Sequence, residues 1–88
     1  MAEQLIGTVV HYFSGPGVAV VRLTDGDLAS GDHVHFVGHT TDFVEQVTSM
    51  EVDHAKVERG RKGQEVAVKV VERARHHDKV FKVLDAGG

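Results

Sequence analysis

Apolar positions in this chain fall in short valine-rich runs bounded by glycine, aspartate and serine, at spacings that suit strands and leave little room for long helices. Leu5 to Phe13 predicts a first strand, and Ser14-Gly15-Pro16-Gly17 breaks it, with Pro16 fixing φ. Val18 to Leu23 returns as a second strand, completing a hairpin. Asp25-Gly26 carries a hairpin-turn signal, Leu28 then faces inward, and Gly31-Asp32 forms a corner where the carboxylate accepts backbone N–H groups. His33 to Val37 predicts a third strand, with Val34 and Phe36 on one face and His33, His35 and Val37 on the other.

Phe43 to Asp53 reads as the longest strand, but its apolar parity changes partway, and a bulge near Thr48-Ser49 reconciles Phe43 and Val47 with Met50 and Val52. His54 to Lys62 is expected to hold a turn or one short helical turn anchored by Val57. Glu65 to Val70 alternates with its valines inward. In the last strand, Lys79 to Val83, aromatic bulk favours Phe81 inside. The pattern predicts an all-β fold, a small closed Greek-key β-barrel of six or seven strands.

The 88 residues leave room for one domain, 1–88, with a core over about 5–83 and a flexible tail at 84–88. Cysteine is absent, so no disulfide or thiolate site staples the fold. The N-terminal residues lack a signal-peptide pattern, and no stretch approaches the roughly 20 apolar residues of a membrane span. A cytoplasmic protein with no membrane partner is the expectation. The net charge of −3 conceals an asymmetry. Residues 1–53 contain one basic residue, Arg22, against eight acidic ones, whereas residues 54–88 contain nine Lys or Arg against five acids. Such a bias marks a candidate nucleic-acid face.

Six segments, in order, carry a resemblance: Ile6-Gly7-Thr8-Val9-Val10, Gly17-Val18-Ala19-Val20-Val21, Leu28 through Gly38, Val47-Thr48-Ser49-Met50, Gly63-Gln64-Glu65-Val66-Ala67-Val68 and Asp78-Lys79-Val80. From about Leu5 to Val83 the chain resembles the β-barrel second domain of translational GTPases such as elongation factor Tu, and the free-standing elongation-factor-like proteins that share it. The resemblance implies a binding module associated with RNA or the ribosome. It also implies that the strand matching Val34 to Gly38 borders a tRNA-end pocket, where an acidic residue tends to stand in place of His35. The final turn departs too, with His77-Asp78 where the family usually has Gly-Asp.

No Gly-x-x-x-x-Gly-Lys-Ser/Thr loop occurs, so neither GTP binding nor its hydrolysis is expected. Ser14, Ser30 and Ser49 stand in no nucleophile elbow, so no catalytic residue is assigned and no enzyme activity is expected. His33, His35 and His39 bring imidazoles near one strand, yet nothing is spaced to complete a metal site, and no metal or cofactor is assigned. Adjacent His76 and His77 point apart if extended. Two functions remain. A non-enzymatic RNA- or ribosome-binding module would use Arg59, Arg61, Lys62, Arg73, Arg75 and His35, with Phe36, Phe43 or Tyr12 stacking on bases if exposed. Alternatively, a protein-interaction module would dock a separate partner domain without nucleic acid.

Overall fold

The computed structural model describes residues 2–84. Valine and isoleucine favour a pleated, half-buried surface. The runs they dominate form β1 (Ala2–Phe13), β2 (Val18–Leu23), β4 (His33–Val37), β9 (Glu65–Lys69) and β10 (Lys79–Leu84). Shorter pieces are β3 (Leu28–Ala29), β5 (Asp42–Gln46), β6 (Met50–Val52), β7 (Ala55–Lys56) and β8 (Arg59–Gly60). Eight strands make one antiparallel sheet in the order β5-β4-β10-β1-β2-β9-β6-β7, and β3 pairs with β8 in a separate ribbon.

The architecture is all-β and barrel-like, as the sequence predicts, built from shorter and more numerous strands than expected. The ladder ends at β5 and β7. The β3–β8 ribbon is tied to the segment that follows β5: Gly31 N–H donates to Val47 O at 2.9 Å and Val47 N–H to Asp32 O at 2.8 Å. Inside, Ile6, Val9, Val21, Leu23, Val34, Phe36, Met50, Val66, Val68 and Val80 are fully buried. Phe36 and Phe43 stack at 4.8 Å between ring centroids.

Several local expectations are corrected. The segment from Phe43 does not continue through a bulge: residues 47–49 leave the ladder, β5 pairs with β4, and β6 joins β9 on the other side. This break satisfies the parity change, because Phe43, Val47 and Met50 are all buried. No helical turn occurs over 54–62. Instead Val52 pairs with Ala55 around Asp53-His54, which have φ of 51° and 66°. Asp25-Gly26 makes no hairpin, since β2 leads into β3, whose partner is β8. Val80, not Phe81, points into the core. Leu84 belongs to β10, and the remainder of the expected tail, 85–88, lies outside the described residues.

Candidate functional site

One four-residue turn recurs three times, each time feeding a strand. Ala29 N–H donates to Asp32 Oδ2 at 2.9 Å, and Asp32 N–H returns to Ala29 O at 3.1 Å, with Gly31 at φ 96°. Arg61 N–H donates to Gln64 Oε1 at 2.8 Å, Gln64 N–H returns at 3.0 Å, and Gly63 sits at φ 96°. Arg75 N–H donates to Asp78 Oδ2 at 2.7 Å, and Asp78 N–H returns at 3.0 Å. A turn of this kind requires positive φ at its third residue, a region glycine enters without steric penalty. In the third copy that residue is His77, at φ 78°. The departure from Gly-Asp therefore leaves the turn intact and places an imidazole where its counterparts have no side chain.

That placement builds the candidate site. His77 N–H donates to Val9 O and Val9 N–H to Asp78 O, both at 2.8 Å, so the turn lies along the second half of β1. His76 and His77 do not point apart; folding the backbone into the turn stacks their rings at 3.9 Å with 10° between planes. Both are exposed. Upstream, the Arg73 guanidinium stands over the half-buried Tyr12 ring at 6.0 Å, within cation–π range. Among the described residues, neither Arg73 nor Arg75 has a carboxylate within ion-pair distance. The result is a pair of exposed arginines and an exposed imidazole stack beside the half-buried Tyr12 ring, whose inner side packs against the core.

The other predicted contacts lie elsewhere. Arg59, Arg61 and Lys62 gather beside the far end of β2, where Gly63 N–H donates to Leu23 O at 2.6 Å. Asp27 shares that corner, with its Oδ2 3.9 Å from Arg59 and its Oδ1 accepting Lys62 N–H at 2.8 Å. Leu23 pairs with Gly7, five residues from Tyr12, so about 17 Å of strand separates the two basic groups. Phe36 and Phe43 are buried and unavailable for stacking. Of the three aromatic candidates, Tyr12 remains.

His35 is occupied by its own protein. Its Nδ1 lies 2.9 Å from Glu3 Oε2 and its Nε2 lies 2.5 Å from Asp42 Oδ1. A ring that donates at both nitrogens is the cation. Hydrogen bonds to Asp42 and then to Glu3 raise its pKa above the usual histidine value, against the opposing effect of burial. His35 thus joins β1, β4 and β5 across β10 and is removed from the candidate contacts. Its carboxylates face opposite nitrogens and share no single cation position. Among the described residues, no three His, Cys, Asp or Glu side chains are placed to hold a metal, and no helix is long and apolar enough to cross a membrane.

The fold defines a class: small, all-β, barrel-like modules. No protein-family model matches the chain. It is similar to the C-terminal domain of a putative U32 peptidase from Geobacillus thermoleovorans, with a TM-score of 0.84 and 21% identity over 92% of this chain and 93% of that one. GDP-bound aIF5B from Aeropyrum pernix matches at TM-score 0.67 and 19% identity, covering 97% of this chain and 15% of that one. The resemblance to a translational GTPase therefore holds at the level of fold. Sequence likeness points instead to proteins named as proteases. One is an uncharacterized protease of Methanocaldococcus jannaschii, 39% identical over 86% of this chain and 19% of that protein. Another is a collagenase of Porphyromonas gingivalis, 32% identical over 91% and 22%. The chain spans about a fifth of the length of these curated relatives.

Proposed function

We propose that the chain is a non-catalytic module that binds single-stranded RNA along the strip formed by Tyr12, Arg73, Arg75, His76 and His77. The observation that carries this reading is the coincidence, beside one strand, of two arginines without ion-pair partners among the described residues with the exposed His76–His77 stack and the half-buried Tyr12 ring. Single-strand binding uses cations to follow the phosphates and aromatic or imidazole faces to stack bases. In the Arg59, Arg61 and Lys62 corner an aspartate sits among the cations. The likeness to aIF5B supports a barrel of the kind found in translation proteins, and the cysteine-free sequence suits a cytoplasmic setting.

Fluorescence anisotropy with a labelled, unstructured RNA oligonucleotide tests it. Affinity should fall with added salt at a log–log slope of roughly −0.7 for each phosphate engaged. Changing Arg73 and Arg75 together to Ala should flatten that slope by about 1.4, whereas changing Arg59 and Arg61 should leave it unaltered. Absence of binding at low salt, or equal loss from both pairs, would refute the assignment.

A further inference from the structure

A second surface lies on the outer face of the sheet, where β2, β9 and β6 run side by side. Alternation along β2 turns Val18 and Val20 outward while Ala19 and Val21 are buried. Ala67 of β9 is Val20's partner in the ladder, and these side chains floor two adjoining depressions of about 270 and 240 Å³ that share Ala67 and Glu51. Phe13 walls one of them and is 48% exposed, where the other phenylalanines and Tyr12 are buried or half-buried. Exposed Pro16 and the partly exposed Val18, Val20 and Ala67 extend a narrow apolar strip beside that ring.

Charge around the depressions is mainly negative. Glu51 and Asp53 line them, and neither is ion-paired among the described residues, although Lys56 is Glu51's neighbour across the β6–β7 ladder. Glu65 is also at the rim, but Arg22 holds its carboxylate at 2.6 Å. Lys69 is the one lysine or arginine lining either depression. Asp53 is carried forward by the left-handed turn it shares with His54, which projects it between β6 and β7. An apolar floor with Glu51, Asp53 and Glu65 against Lys69 along its lining is complementary to a chain that alternates apolar and cationic side chains.

We infer that this groove docks an extended, basic polypeptide segment of a partner protein, with an aliphatic or aromatic side chain seated over Val18, Val20 and Ala67 and flanking cations facing Glu51 and Asp53. The surface is distinct from the RNA strip. Tyr12 pairs with buried Ala19, whereas Phe13 pairs with outward Val18, so neighbouring residues of β1 serve opposite faces. RNA and the polypeptide segment should therefore bind together without competition.

The test uses a labelled decapeptide of alternating arginine and leucine, with alternating glutamate–leucine and arginine–serine peptides as controls. The arginine–leucine peptide should bind saturably, and both controls should bind at least about tenfold more weakly, since losing either anchor or charge removes a central contact. Glu51→Lys and Phe13→Ser should each weaken it by a similar factor while leaving RNA affinity intact; circular dichroism verifies their folding. Ala55→Lys, at the exposed edge but off the groove, serves as a charge-only control and should weaken binding far less. No saturable binding, equal binding of the glutamate–leucine peptide, or indifference to Glu51→Lys overturns the inference. Loss of RNA binding with retained peptide binding would sink the RNA reading alone.

Discussion

His77 is held at φ 78° in a turn whose two counterparts use glycine. A left-handed conformation costs a residue with a Cβ roughly 1–2 kcal/mol, partly offset by the greater freedom glycine brings to the unfolded chain. His77→Gly should therefore stabilise the protein by about 0.5–1 kcal/mol in urea unfolding, while weakening RNA binding through loss of the His76–His77 stack. A gain in both properties would contradict the role given to the imidazole. Gly38 shows the opposite constraint: a Cβ there would overlap the Asp78 carboxylate that closes the same turn. Gly38→Ala should destabilise by about 2–3 kcal/mol, the cost of displacing a buried carboxylate from its backbone donor. His35 governs a pH effect. Because its folded pKa is raised, its contribution is fully present below the unfolded value of about 6.5 and is lost as pH rises through the higher folded value. Urea midpoints should fall across that window in the native protein and stay flatter in His35→Gln. Identical profiles would show that the Glu3 and Asp42 contacts contribute nothing.

At the scale of elements, the long strands were legible because alternating valines leave one face to bury: Val66, Val68 and Val70 behave as their spacing demands. The β6–β7 hairpin was not, because Asp53-His54 lacks the Asn-Gly signature of a turn with two positive φ angles. Replacing that pair with Asn-Gly should raise the unfolding free energy by about 1 kcal/mol, as relief of left-handed strain requires. An unchanged or lowered midpoint would show the turn is not limiting. At Phe81 register outranks aromatic bulk: pairing Val80 with buried Phe36 fixes β10's parity and leaves Phe81 on the other face. The His35 clamp was equally hidden, since Glu3, His35 and Asp42 meet only after β10 inserts between β1 and β4. Of the candidate site, Arg73, Arg75 and Tyr12 could be named from the chain. The stacked histidines could not, because their stacking depends on the turn.

For the molecule as a whole, the sequence's charge asymmetry does not become one basic hemisphere. Pairing β2 with β9 and β3 with β8 interleaves the acidic first part with the basic second, leaving two separate cationic groups and an acidic-rimmed groove. Function on this account depends on which cations stand beside flat rings, more than on how many there are. A shift-mapping titration of isotopically labelled protein with the RNA oligonucleotide tests that claim most directly. Perturbations should concentrate at residues 9–12 and 72–79 and spare Arg59, Arg61 and Lys62. Shifts centred on the β3–β8 ribbon, or none at low salt, would contradict it.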